Sequence, residues 1–289
     1  MKILLVNKYL YRKGGAETYF IKLGEYLKSL GNEVEYFGMA DERNCVENRV
    51  EAYTENIDFH KKSLKHITYP FKIIYSVNAR KQIRKVLSDF KPDVVHLNNF
   101  NYQLTPSIIY EIKKHNIPIV YTAHDVQLVC PNHKLKNDYT YGLCRKCDGG
   151  KYFECVKNNC VHSSKIRSIL GAVEAWYYKL RHTYKMIDLT VCPSEFMEKE
   201  ISRNDDINGR TVTMYNFIDE IKPLGAECEN YVLYFGRYSE EKGILNLVKA
   251  AKKLSNIPFV FAGKGELENE VNSADNIKNV GFKTGDELR

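Results

Sequence analysis

No run of apolar residues in this 289-residue chain approaches the length of a membrane-spanning helix. The first apolar stretch, Ile3 to Val6, is too short for the h-region of a secretory signal. No recognised nucleic-acid-binding motif is present, so nucleic acid is not an expected partner. The G-x-G-x-x-G pattern that a nicotinamide dinucleotide requires after a first strand is also missing. These absences make the cytoplasm the expected location. What is there is ordinary for a globular protein, with 44% hydrophobic and 27% charged residues. The length suffices for two domains, each with its own core.

Charge is unevenly placed. The net balance is +7, yet residues 213–289 hold 10 Lys and Arg against 12 Asp and Glu, leaving 33 against 24 for the rest. All the excess basicity lies in the first part, which implies an anionic partner there. It is densest over 57–91, where Lys61, Lys62, Lys65, Lys72, Arg80, Lys81, Arg84, Lys85 and Lys91 are offset only by Asp58 and Asp89. Interleaved aromatic and aliphatic residues leave two readings. Either this stretch lies against an anionic membrane, making the protein peripheral to the inner face of the cytoplasmic membrane, or its apolar residues pack on a sheet while the cations are solvated.

Taken in order, the chain alternates strands and helices, the pattern of an α/β fold with parallel sheets. Lys2 to Asn7 reads as a buried first strand, followed by Lys13-Gly14-Gly15-Ala16-Glu17 and a helix with Phe20, Leu23, Leu27 and Leu30 on one face. Gly14-Gly15 is either a plain tight turn or a loop whose lack of Cβ atoms admits a ligand. Further strands are expected at 33–37, 93–97, 119–122 and 188–192. His124 lies just past one of them, in the crevice where open α/β sheets bind ligands, although a histidine bonded to loop carbonyls would occupy the same place. Ile166 to Tyr184 reads as a helix whose Trp176 and Tyr177 are expected to pack in a core. Ser194 is placed to cap the helix after the strand at 188–192.

Between them, Val126 to Ser163 is irregular and long for a structureless loop. It holds Cys144-x2-Cys147 and Cys155-x4-Cys160, spacings that suit a tetrahedral structural zinc, with free or redox-labile thiols as the alternative.

The stretch with most chemistry runs from Tyr231 to Gly243. A strand read as buried, Tyr231 to Phe235, ends at Gly236, and an apolar-periodic helix begins after Gly243. Arg237 and Lys242 therefore fall between a strand's C-terminal end and a helix N-terminus, where backbone N–H groups and the helix dipole favour an anion. The choice is between a phosphate clamp and a surface turn with two solvated cations.

Gly236-Arg237-x4-Lys242-Gly243 resembles the GR-x4-KG signature of family-4 retaining glycosyltransferases of the GT-B fold. Other stretches resemble the same family in its order: Gly14-Gly15-x-Glu17, His124-Asp125, Pro193-Ser194-Glu195, Asn216 to Asp219, Gly263-x-Gly265, and Asn279 to Phe282. Phe217 stands where the family usually has Gly. The resemblance implies two Rossmann-like domains, an acceptor-side domain at 1–212 carrying the cysteine-rich insertion 126–163, and a partial nucleotide-sugar-binding domain at 213–289. It implies that Arg237 and Lys242 hold the donor diphosphate and that His124 orients the donor sugar. Gly14, Gly15 and Glu17 would form a loop near the donor phosphate and the acceptor, and Gly263, Gly265 and Val280 would lie beside the nucleotide. The expected function is transfer of a sugar from a UDP- or GDP-linked donor to a polysaccharide or lipid-linked acceptor, with no cofactor or metal required for catalysis. The family's Glu-x7-Glu element has no counterpart here, so the expectation is a chain truncated at its C-terminus, with an inactive remnant or nucleotide-binding module as the alternative.

Overall fold

The structure, a computed structural model, describes residues 1–56, 69–137, 142–218, 229–283 and 287. The 57–68 part of the cationic stretch lies outside the described residues.

Two compact units result, Met1–Ile218 and Asp219–Arg289. The first contains β1 (Lys2–Val6), α1 (Gly15–Ser29), β2 (Glu33–Phe37), α2 (Tyr69–Ile74), α3 (Val77–Phe90), β3 (Val94–Leu97), α4 (Ser107–Lys114) and β4 (Ile119–Thr122). It continues with α5 (Phe153–Lys157), α6 (Lys165–Leu180), β5 (Leu189–Cys192), α7 (Glu195–Ile201) and β6 (Thr211–Thr213). The strands form one parallel sheet in the order β2-β1-β3-β4-β5-β6.

β1 shows why the sheet is parallel and covered on both sides. Its apolar residues divide between two cores, Leu4 and Val6 joining Phe37, Val95, Ile83 and Ile108 on one face. Ile3 and Leu5 join Phe20, Ile21 and Tyr36 on the other. A strand apolar at consecutive positions has no solvent face to spare. Because β2 and β3 flank β1 on opposite sides, the chain changes direction across the sheet between β1 and β3. In such sheets ligands bind beyond the carboxyl ends of the strands at that switch point.

The second unit contains β7 (Val232–Phe235), α8 (Ile244–Lys253), β8 (Phe259–Ala262), α9 (Glu268–Val271) and β9 (Ile277–Gly281), with a parallel sheet in the order β7-β8-β9. Its core gathers Ile244, Val248 and Ala251 of α8 against Phe259, Phe261, Tyr238 and Ile277.

The expected α/β architecture with two parallel sheets is present, but three local expectations change. A division at 212/213 would cut through β6, which pairs with β5 and completes the first sheet. β7, read as buried, leaves Val232, Leu233 and Phe235 exposed, being the edge strand of its sheet among the described residues. The aromatic face of α6 is not all core: Tyr177 packs partly buried against the core, but Trp176 is exposed. In α3, by contrast, Ile83, Val86, Leu87 and Phe90 are wholly in the core. Arg80 and Arg84 on that helix bind the buried Glu111, whose carboxyl they hold at about 2 against the opposing effect of burial. This part of the cationic stretch follows the packed reading in its apolar residues, while Arg80 and Arg84 are paired rather than solvated.

Candidate functional site

In the first unit the residues that follow β1, β3 and β4 converge. Asn7 and Lys8 follow β1, Asn98 and Asn99 follow β3, and His124 and Asp125 follow β4. Asn7 fixes the corner, its Oδ1 accepting from the Asn99 N–H at 3.0 Å while its amide donates to the Tyr9 carbonyl at 2.6 Å. His124 Nε2 donates to Asn98 Oδ1 at 2.9 Å, and the ring meets Tyr19 of α1 edge-on, 5.3 Å between centroids. Loss of hydration lowers the His124 pKa to about 4, with Asp125 opposing, so the imidazole is neutral at pH 7. Asn98 Nδ2 is buried with no protein partner, a free donor within this crevice.

A second chain of contacts runs alongside. Lys8 Nζ donates to Asn101 Oδ1 at 3.0 Å, the Asn101 amide meets His133 Nδ1 at 3.3 Å, and His133 Nδ1 lies 3.3 Å from Asp125 Oδ2. Tyr102 stacks on His133. Burial and the neighbouring Lys13 charge bring the Lys8 pKa down to about 8, partly offset by Asp125 and Glu17. Burial pushes Glu174 of α6 up to about 7, with His133 opposing. Burial also works against the Asp125 carboxylate, but His133 and the Gln127 N–H hold it below its usual range.

Gly14 and Gly15 open α1 beside this crevice. Gly14 is extended, with φ −162°, and neither glycine has a positive φ, so a tight turn does not explain them. A Cβ built on Gly15 would meet no atom within 4 Å. The space before it is open, as the approach of a ligand requires. Glu17 is buried in the first turn. Phe217, at the family's usual Gly position, packs its ring 5.2 Å from Tyr19.

In the second unit Arg237 and Lys242 occupy the loop from β7 to α8. Arg237 is well exposed and pairs with Glu241 at 3.5 Å, a contact that solvent screens. Lys242 ends a 3₁₀ turn, Glu240–Lys242, and α8 begins directly after Gly243 with no side chain capping it. Between the two cations, Ser239 Oγ is buried without a protein partner.

Tyr238 is the post on which this loop stands. Its ring is fully buried, its hydroxyl donates to Asn279 Oδ1 at 2.9 Å, and its N–H donates to the Lys264 carbonyl at 3.0 Å. Gly263 and Gly265 are fixed by the same packing. A Cβ on Gly263 would sit 1.9 Å from the Gly236 carbonyl oxygen, and one on Gly265 2.3 Å from that of Tyr238. These glycines are therefore required for loop-to-loop approach within the unit. Val280 lies at the end of β9, before Gly281, whose carbonyl accepts from the Gly263 N–H at 2.9 Å.

Cys144, Cys147, Cys155 and Cys160 do come together, and Cys130 joins them around a cavity of about 10 Å³. Even so, among the described residues no group of three or more Cys, His, Asp or Glu side chains is arranged to hold a metal ion. Burial instead pushes the Cys147 thiol up to about 12. The insertion is tied down by packing of Cys147, Tyr152 and Cys155 on Ala172, and by Arg145 on the buried Glu200. The four thiols whose spacing suits a structural zinc are thus brought to one place in the fold.

Sequence reasoning missed Lys8, Asn98, Asp125 as a network member, Tyr238 and Ser239. The available signal was position: each follows a strand at its carboxyl end.

Comparison with known proteins adds the following. The model of Glycosyltransferase Family 4 matches residues 13–221. An uncharacterized 42.6 kDa protein in the cps region of Klebsiella pneumoniae is 26% identical over 280 residues, covering 91% of this chain and 68% of the relative. The Anabaena HepE protein in complex with UDP superposes with a TM-score of 0.59 at 16% identity, covering 98% of this chain and 70% of that one. Sucrose-phosphate synthase from Thermosynechococcus elongatus gives 0.60 at 15% identity, with the same coverage. These likenesses show the shared fold.

Proposed function

The chain belongs to Glycosyltransferase Family 4, and from that premise we propose that it moves a hexosyl group from a UDP- or GDP-linked donor to an acceptor hydroxyl. The acceptor is a growing polysaccharide or a lipid-linked glycan, and the anomeric configuration is retained. UDP in the Anabaena protein of like fold supports a nucleotide-sugar donor.

The observation that carries this reading is the loop from Gly236 to Gly243. It presents Arg237 and Lys242 at the carboxyl end of β7 and before the uncapped start of α8, with the unpartnered Ser239 hydroxyl between them. As the bond from the anomeric carbon to the diphosphate oxygen breaks, its electron pair leaves with the nucleoside diphosphate. Fixed cations at that oxygen stabilise the charge as it develops. Neutral His124 orients the donor sugar through a ring nitrogen not used by Asn98. Gly15 leaves room for a phosphate to approach the first turn of α1.

Thermal melts of the 289-residue chain against UDP, GDP and their sugars test the reading. One nucleotide raises the melting temperature, and Arg237→Ala abolishes that rise without changing the unliganded melt. A shift with no product from any acceptor would reduce the protein to a nucleotide-binding module. No shift with any nucleotide would overturn the clamp.

A further inference from the structure

Helix α6 carries an apolar stripe that the other described residues of its unit leave exposed. Ile166, Ile169, Val173, Trp176 and Leu180 are exposed by 73%, 42%, 41%, 37% and 80%. Their i, i+3, i+7, i+10, i+14 spacing keeps them on one side of the helix, a stripe about 21 Å long at the rise of an α-helix. The helix itself is firmly seated. Ser168, Ala172 and Tyr178 are buried beneath it, and the Tyr178 hydroxyl donates to the Ile74 carbonyl. Trp176 lies at the margin, its indole N–H donating to the Gly150 carbonyl at 2.9 Å. A contiguous apolar patch on a well-packed element marks a contact surface.

Charge decides the kind of contact. Lys165 and Arg167 stand at the start of the stripe, Lys179 and Arg181 at its end. None of the four has a carboxylate partner among the described residues. Projected down the helix axis at about 100° per residue, the two lysines fall on one flank of the stripe and the two arginines on the other. The one acid of the helix, Glu174, is largely enclosed and faces His133. Two copies paired symmetrically through the stripe would bring these cations together with no exposed acid on the helix to answer them. An anionic lipid surface answers both features, accepting the apolar stripe and neutralising the flanks. No helix among the described residues is long and apolar enough to cross a membrane.

We propose that α6 is a membrane-contact helix, lying with Ile166, Ile169, Val173, Trp176 and Leu180 against a bilayer that carries anionic lipid. The surface differs from α3, whose Ile83, Val86, Leu87 and Phe90 lie in the core. It stands on exposure and charge alone and does not depend on sugar transfer.

Trp176 is the one tryptophan of the chain, so its fluorescence reports from the stripe itself. The whole chain is mixed with vesicles of phosphatidylcholine alone or with added phosphatidylglycerol, and sedimentation is measured in parallel. Expected are a blue shift and co-sedimentation with the anionic vesicles. Affinity should fall by about tenfold or more in Ile169→Glu/Val173→Glu and, separately, in Lys165→Glu/Arg167→Glu. Melting temperatures report folding of each variant, and the charge-reversal pair decides the matter if the apolar pair is unstable. Absence of a blue shift with anionic vesicles overturns the proposal, as does binding that both variants leave intact. A dimer in sedimentation equilibrium that Ile169→Glu/Val173→Glu dissociates, without vesicle binding, would give the stripe to a second copy instead.

Discussion

In the first unit the candidate groups are enclosed and partnered: His124 on Asn98, Lys8 on Asn101, Asp125 with His133. In the second they stand in the open, Arg237 exposed and paired with Glu241, beside the edge strand of the sheet that the described residues form. The proposed function gives the two sets of residues different tasks. A crevice proposed to orient a neutral sugar gains from fixed hydrogen-bonding groups, and loss of hydration keeps His124 neutral. A loop that receives a diphosphate needs undiminished charge before the ligand arrives. Its rigidity comes from beneath, through Tyr238 and the two glycines that let the loops touch.

The strongest way to break this contrast is to remove the exposed charge. Arg237→Ala should cost about a hundredfold or more in turnover, the scale of losing one preorganised group at a developing charge, while the melting temperature stays unchanged. Near-normal turnover in a steady-state assay would mean the second unit's cation is merely solvated. Gly263→Ala attacks the support instead of the charge. Its Cβ would meet the Gly236 carbonyl oxygen, a backbone atom that cannot swing away, so a loss of roughly 2–3 kcal/mol is expected. Denaturant unfolding followed by near-UV circular dichroism measures it, and an unaltered midpoint would refute the packing role.

Acid sharpens the contrast, because all eight histidines precede residue 183 and the second unit has none. His96 and His124 have folded-state pKa values of about 4, both lowered first by lost hydration. Below the ordinary value of about 6.5 the unfolded chain takes up those protons and the folded chain does not. Their contribution is therefore complete above about pH 6.5 and declines as the pH falls towards 4. Glu174, raised to about 7, acts in the opposite sense, since the folded chain takes up its proton first. The two histidines outweigh the one carboxyl, so the first unit's melting temperature should fall between about pH 6.5 and 5, and Glu174→Gln should steepen the fall. A melting temperature flat over that range, or a slope that Glu174→Gln does not change, would contradict these assignments.

Much of the architecture was legible because strands apolar at consecutive positions, such as Ile3 to Val6, require a sheet covered on both faces. Periodicity was less informative about surroundings. In α6 it identified a helix and a stripe but not which face the protein covers, and the small residues Ser168 and Ala172 proved to be the buried ones. The same limit applies to β7, since an apolar run does not announce that it sits at a sheet edge. His124, Arg237 and Lys242 were visible as chemically distinctive residues after strands. Asn98 and Lys8 were not, because an Asn or Lys after a strand is ordinary until the strand order makes it a neighbour of His124. The cysteine spacing foretold the convergence of four thiols but neither Cys130's place among them nor their geometry.

The smallest expected effect on stability discriminates most finely between the units. Gly15 begins α1, its φ is not positive, and a Cβ there would meet nothing within 4 Å. On folding grounds Gly15→Ala should be neutral or stabilising by a few tenths of a kcal/mol, because alanine loses less backbone entropy in a helix. If a donor phosphate comes against the first turn of α1, the added methyl occupies the ligand's space, and KM for the donor should rise by about tenfold. Gly263→Ala in the second unit should do the reverse, lowering stability through a contact within the protein. A Gly15→Ala enzyme with an unchanged melting temperature and a raised KM would assign the first glycine to the ligand and the second to the fold. Unchanged kinetics would leave the open space before α1 without a role in donor binding.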